Sequence, residues 1–173
     1  MIHRSGVEKS GRIIDVGSGT SVLIDFLLKD GYQNITALDV SETALDAARQ
    51  QIGERAPLIE WRVADIRSVS LSAETYDLWH DRAVFHFLTT PEDRAAYLRV
   101  LCHALKPRGQ IVMATFADNG PEQCSDLNVM RYSPESLTQT LGAGFELVDS
   151  ERRVHITPWN SEQRFIHCRY RRV

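Results

Sequence analysis

Cysteine is scarce: Cys102, Cys124 and Cys168 are the only three in 173 residues. Three scattered thiols cannot staple a disulfide framework, and without a Cys-x-x-Cys spacing they suggest no metal site. Long apolar runs are missing as well. The longest are strand-sized, which excludes a membrane span and the apolar core of a signal peptide. Neither sign of charge dominates. A formal net charge of -3 offers no basic surface for nucleic acid or for an anionic membrane. Arg169, Arg171 and Arg172 do gather near the end, where the solvated side of a final strand accounts for them. Hydrophobic residues at 43% and charged residues at 25% exclude a disordered chain. The expectation is one soluble domain in a reducing, cytoplasmic setting, long enough to bury a full core.

What is present is organised around Arg12-Ile13-Ile14-Asp15-Val16-Gly17-Ser18-Gly19-Thr20-Ser21-Val22-Leu23. Two isoleucines and a valine predict a short buried parallel strand carrying an acidic residue at its end. Two glycines then turn the chain into a helix whose apolar positions are Leu23, Phe26 and Leu27, with Gly31 past its end. Bare backbone at the glycines lets a ligand press close, and the N–H groups opening the helix suit a carboxylate or a hydroxyl. A dinucleotide site uses a similar turn, but its fingerprint wants a third glycine where Val22 stands. Asp15 would also repel a pyrophosphate. Both residues argue against a NAD-dependent oxidoreductase.

Strands and helices alternate from there. Asn34 to Asp39 predicts a second strand, and Ser41 caps a helix with Ala44, Leu45, Ala48 and Ile52 inside. A third strand over 58–63 runs into Ala64-Asp65-Ile66, and a fourth covers 76–80. Thr90 with Pro91 starts a helix whose expected inner stripe is Leu98, Leu101, Cys102 and Leu105. Lys106-Pro107-Arg108-Gly109 breaks it before a fifth strand over 110–116. Residues 117–132 lack periodicity, and a loop that long in a compact domain is usually functional or disordered. Ser133 and Pro134 open a short helix to Leu141. Strands over 145–148 and 165–170 close the chain, the last antiparallel. An acidic residue ending the second strand, Asp39, suits the two hydroxyls of a ribose.

Asp15-Val16-Gly17-Ser18-Gly19-Thr20, acidic residues at three successive strand ends, a helix followed by Leu105-Lys106-Pro107-Arg108-Gly109 and an apolar strand, and a terminal hairpin together resemble one family. It is the class I, seven-stranded methyltransferases dependent on S-adenosylmethionine (SAM). The resemblance runs from Arg12 to the C-terminus. It implies an α/β, Rossmann-like, three-layer αβα sandwich with a mostly parallel sheet of order 3-2-1-4-5-7-6 and a C-terminal antiparallel hairpin. Residues 12–173 would form the methyltransferase domain. Residues 1–11 form a short lead-in where family members carry a longer helical segment. The pocket would then be more open, or the start truncated, or another chain would cover it.

The resemblance also implies SAM as cofactor and S-adenosylhomocysteine as product. SAM's ammonium and sulfonium suit Asp15, and its carboxylate suits the turn formed by Val16, Gly17, Ser18, Gly19 and Thr20. Asp39 and Val40 would meet the ribose, Asp65 and Ile66 the adenine, and His80 would face the cofactor. Candidates beside the methyl group are His80, Asp81 and His86, with Cys124, Arg131 and Tyr132 on the loop over the acceptor. Plainer roles exist for several: His86 as a packed histidine between Phe85 and Phe87, Asp81 as a helix cap, Cys124 as a bystander. No metal is expected, since His3, His103, His155 and His167 share no ligand spacing.

Asp81-Arg82-Ala83 and Gly120-Pro121 resemble thiopurine-type small-molecule methyltransferases. The segments 19–23 and 32–36 resemble lysine methyltransferases of elongation factors. The expected acceptor is a small molecule, with a protein lysine, or SAM binding without catalysis, as the alternatives. Neither nucleic acid nor membrane is an expected partner, and the expected state is a monomer or homodimer.

Overall fold

Ile13 and Ile14 are neighbours in the chain, and both are fully buried in opposite layers. Successive strand residues point to opposite faces, so a strand covered on both sides must be apolar at every position. The computed structural model describes residues 1–20, 22–157 and 160–173; Ser21, quoted within the glycine turn, lies outside them. Seven strands form the sheet: β1 (Arg12–Val16), β2 (Asn34–Asp39), β3 (Ile59–Val63), β4 (Tyr76–Arg82), β5 (Leu105–Phe116), β8 (Phe145–Ile156) and β9 (Glu162–Arg172). Their order is β3-β2-β1-β4-β5-β9-β8. Two short strands in the loop after β5 take the numbers β6 and β7. Counting only the sheet strands, the order is the expected 3-2-1-4-5-7-6. Strands β1 to β5 are parallel, and β9 runs antiparallel between β5 and β8.

Helices α1 (Leu23–Lys29) and α2 (Glu42–Ile52) cover one face, where Ile13, Ile24, Leu27, Leu45 and Leu78 pack together. Helices α3 (Pro91–Ala104) and α4 (Pro134–Leu141) cover the other, over Ile14, Trp79, Leu101, Met113 and Tyr170. The helix starts follow local chemistry. Ser41 accepts from the Ala44 N–H at 3.2 Å, Thr90 from the Asp93 N–H at 3.1 Å, and Ser133 exchanges bonds with Ser136 in a capping box.

Several local expectations are corrected. Cys102 is exposed, and the buried stripe of α3 is Tyr97, Leu101 and Ala104. Those three recur at i, i+4 and i+7, whereas Cys102 is turned about 100° from Leu101. In α1, Ile24 and Leu27 face inward while Phe26 is 55% exposed. Lys106-Pro107-Arg108-Gly109 is a bulge inside β5, not a break before it. The register slips between Tyr76 and Leu78, and Arg108 takes a φ of 64°. The terminal hairpin is longer than its alternation suggests, because solvent-facing polar positions are hydrogen-bonded too.

The aperiodic stretch 117–132 is tied at its base, where the Tyr132 N–H donates to the Phe116 carbonyl at 3.0 Å. It folds into an antiparallel ribbon, β6 (Gln123–Cys124) and β7 (Leu127–Asn128). Ser125 and Asp126 between them both have positive φ, as a tight hairpin turn requires. At the N-terminus, Ile2–Ser5 is a single 3-10 turn held by Arg4, which pairs with Asp149 at 2.7 Å and Glu151 at 3.2 Å. Among the described residues no helix is long and apolar enough to cross a membrane.

Candidate functional site

A cleft of about 570 Å³ opens at the carboxyl ends of β1, β2 and β3, between the glycine turn and the segment that leaves β4. A second opening of similar size, about 550 Å³, lies at the other end of the strands, between residues 5–11 and 106–110. Open α/β sheets take ligands at the carboxyl ends beside the point where strand order reverses, which here is the β1/β4 junction. The first cleft is therefore the candidate site.

The turn forming its floor requires glycine for a stated reason. Gly17 has φ 67°, and a Cβ there would stand 2.0 Å from the Val84 Cγ2. Gly17 and Ser18 donate to the Leu38 carbonyl at 2.8 and 3.1 Å, pinning the turn to the end of β2. Asp39 is then aimed by backbone: its Oδ2 accepts from the Gly19 N–H and its Oδ1 from the Ser41 N–H, both at 2.8 Å. A carboxylate offers about four lone-pair directions, so two remain for a ligand.

Asp65, at the end of β3, is engaged differently. Arg67 grips it at 2.6 Å and reaches Asp93 at 2.8 Å with its other nitrogen. The Arg67 hydrogen bonds hold the Asp65 carboxyl below its usual range despite some opposing burial. Val16, Val40 and Ile66 supply apolar surface to the same cleft, and Arg82, Val84, Phe87 and Leu127 close its far side.

The structure thus brings Val16, Gly17, Asp39, Val40, Asp65 and Ile66 around one cleft. Asp15 does not line it. Its side chain points to the α1 face with Ile13, is 2% exposed, and meets the His80 Nδ1 at 2.6 Å through Oδ1. Asp15 Oδ2 and the buried Ser18 Oγ have no hydrogen-bond partner in the structure. Gly19 serves through its N–H, and Thr20 is an exposed turn residue.

His80 is 12% exposed and borders a smaller, separate cavity. Asp81 and His86 have no exposed surface. Asp81 accepts from the Tyr97 hydroxyl at 2.6 Å and from the Val84 and Phe85 N–H groups at 3.1 and 3.3 Å. Burial pushes its carboxyl up to about 6. Its bonds hold the turn at Ala83, whose φ is 63°, and so hold Val84 over Gly17. The His86 Nδ1 accepts from the Phe116 N–H at 3.3 Å, and its ring packs edge-on against Phe87 and Phe116. Burial pushes it down to about 4, so it is neutral near pH 7.

Cys124, Arg131 and Tyr132 do not border the cleft. Cys124 packs against Ala114, Phe116 and Phe165. Arg131 pairs with Glu122 at 3.0 Å, and Tyr132 is buried beside Phe85. The loop reaches the cleft through Leu127 instead, which is 59% exposed. Sequence reasoning missed Arg67, Val84 and Leu127. An arginine two residues after the strand-end Asp65 was a usable signal; the other two carried none.

A family model described as a methyltransferase domain matches residues 13–109. The chain is 32% identical over 130 residues to the malonyl-[acyl-carrier protein] O-methyltransferase of Halalkalibacterium halodurans, covering 73% of this chain and 45% of that protein. It is 24% identical over 153 residues to EEF1A lysine methyltransferase 2 of Danio rerio, covering 85% of this chain and 60% of that one. It therefore spans about half the length of these relatives. A SAM-dependent methyltransferase structure from Methanosarcina mazei superposes with a TM-score of 0.81 at 16% identity, covering 99% of this chain and 96% of that one.

Proposed function

The chain belongs to the methyltransferase-domain family; from this premise we propose that it is a SAM-dependent methyltransferase, that the cleft between Asp39 and Asp65 takes the nucleoside of SAM and that the methyl acceptor is a small molecule. The observation that carries the first half is Asp39, aimed by two backbone N–H groups at 2.8 Å and left with two free acceptor directions at the cleft wall. The residues present fit the cofactor. Gly17 leaves backbone bare where any side chain would strike Val84. Val40, Ile66 and Leu127 give flat apolar walls for a base. Asp15 Oδ2 and Ser18 Oγ are buried without partners beside the turn but do not line the cleft, so they make no direct contact with a group bound in it. The Asp65 carboxylate would meet the adenine amino group only by sharing its bonds with Arg67.

When bound, SAM supplies a methyl group on a sulfonium, which is already a good leaving group. The protein's work is then to aim the acceptor and exclude water, and such positioning contributes on the order of 7–11 kcal/mol. Leu127 and Phe87 exclude water from the open side of the cleft. Asp81, though buried, keeps Val84 seated on Gly17 and so fixes the shape of the turn.

Two observations favour a small acceptor over a protein lysine. Arg82, on the cleft wall, disfavours a lysine ammonium beside it. The ribbon 123–128 carries Leu127 onto the cleft wall, an apolar contact that suits a small ring better than a solvated lysine chain. Calorimetry with S-adenosylhomocysteine and with NAD tests the cofactor; binding of NAD alone would refute it. Transfer of labelled methyl from SAM to a metabolite panel and a lysine-peptide panel tests the acceptor and separates an enzyme from a silent binder.

A further inference from the structure

The two edges of the sheet differ. At one edge β3 is five residues long, which gives another chain little to pair with. At the other, β8 runs for twelve residues, and from Asp149 to Ile156 it pairs with β9 in one unbroken register. That stretch holds neither proline nor lysine, two of the usual guards of an open edge. Among the described residues, its outward backbone groups form no bond to any other segment. Val154 and Ile156, near its end, are 57% and 51% exposed.

The charges along β8 are ordered. Glu151 pairs across to His167 and lies on the α1 face, with Asp149, Arg153 and His155 at alternate positions. The acidic residues come first on this face and the basic ones follow. Ser150 and Arg152 pair with Cys168 and Ile166 and lie on the other face, as does Val154. A second copy related by a twofold axis normal to the sheet would run antiparallel to the first, with each face kept on its own side. A residue can then oppose only one from its own face, so the axis must pass at a residue and not between two. With the axis at Arg152, Glu151 opposes the partner's Arg153, Asp149 opposes the partner's His155, and Ser150 opposes the partner's Val154. Each pair occurs twice, and all of them fall inside the unbroken run. Moving the axis one residue either way sets Glu151 or Arg153 against itself, and like charges directly opposite are destabilising. Arg152 does meet its own copy at the axis, but Asp118 draws its guanidinium aside at 2.7 and 3.2 Å. Arg153 also reaches Glu151 of its own chain at 2.7 Å, from an exposed position that leaves it free to be shared.

We propose that β8 is a dimerisation edge: two copies of this chain join antiparallel through residues 149–155 into one continuous sheet, Glu151 of each against Arg153 of the other. The inference does not depend on the methyltransferase reading. The cleft lies at the ends of β1, β2 and β3, on the far side of β4 and β5 from this edge, so the pairing leaves it open. Pairing through one strand buries less than the roughly 1,200 Å² of a standard interface, so the dimer is weak and forms as concentration rises. Complementary charge then selects the register and the partner.

Sedimentation velocity over two decades of protein concentration tests this. Wild-type protein is expected to pass from monomer to dimer, and hydrogen exchange at the outward amides of 149–155 should slow as it does. Glu151→Arg and Arg153→Glu each set like charges opposite one another and should each weaken the dimer by about tenfold or more in Kd. Mixed in equal amounts, the two variants should form a heterodimer within about threefold of wild type, because each supplies the charge that the other lacks. The double variant Glu151→Arg/Arg153→Glu should pair with itself to the same extent. Thermal unfolding of each single variant checks that it is folded. Wild-type protein that stays monomeric throughout, which would leave the edge to a strand of another protein, overturns the inference. So does a dimer that survives both single substitutions unchanged, and so do folded single variants that do not recover on mixing.

Discussion

Asp39→Ala tests the nucleoside site most directly. The carboxylate makes two bonds within the protein, from the Gly19 and Ser41 N–H groups at 2.8 Å each. Two acceptor directions remain for the ribose diol. A hydrogen bond to a charged group contributes about 1.5–3 kcal/mol, but ribose hydroxyls freed by the mutation regain water in a cleft this open. The net loss in affinity for S-adenosylhomocysteine should therefore be about 1–3 kcal/mol, or roughly 5- to 150-fold in Kd. The mutation also strips the glycine turn of a bond, so thermal unfolding without ligand must be measured beside calorimetry, well below the variant's Tm. Asp39→Asn supplies the control: its amide oxygen can hold one backbone N–H while its NH2 offers the diol a donor where it wants an acceptor. Unchanged Kd in a folded Asp39→Ala variant would remove Asp39 from the site and, with it, the argument that places the nucleoside in this cleft.

Gly17→Ala should abolish measurable S-adenosylhomocysteine binding and destabilise the fold by about 2 kcal/mol or more, since its Cβ meets Val84 at 2.0 Å from a φ of 67°. Adding Val84→Ala should restore part of that stability; no recovery by differential scanning calorimetry would show that the clash is not the cause. Asp81 has a folded-state carboxyl near 6, raised above about 3.9 in the unfolded chain. Its protonation thus favours the fold fully below about pH 4, and this contribution is lost as pH rises through about 6. Asp81→Asn should flatten that part of the stability profile, by on the order of 2–3 kcal/mol at most, and a variant whose profile parallels wild type between those pH values would refute the assignment. Leu101→Ala should cost about 2–5 kcal/mol in denaturant unfolding, and Cys102→Ser less than about 0.5 kcal/mol. Equal losses would contradict the orientation of α3.

How much was legible in the chain follows the range of the interaction concerned. Residues within a turn of one another decide a strand with Asp15, Asp39 or Asp65 at or just past its end, a helix capped by Ser41, Thr90 or Ser133, and a glycine turn between the first strand and helix. All of these could be read directly, and with them the alternation that makes a parallel sheet. The family likeness followed from the same local units repeated in sequence, and the sheet order was what that likeness implied.

Which way each side chain faces was not readable, because it depends on register and on what packs above. Asp15 and Asp39 both stand near strand ends, yet one turns to the α1 face and grips His80 while the other opens onto the cleft. Cys102 looked internal until the crossing of α3 put Tyr97, Leu101 and Ala104 against the sheet. Arg67 holds Asp65, two residues before it, and only the fold adds its second contact, to Asp93 on α3. His80 and His167 come to one cavity only because the antiparallel β9 inserts between β5 and β8. The sequence by itself determined the units and the strand-end carboxylates, since those rest on backbone preferences and neighbours a few residues apart. Only the tertiary structure decided which carboxylate is free, which is paired and which histidine has a buried carboxyl group behind it, since strand pairing brings together residues that local sequence does not relate.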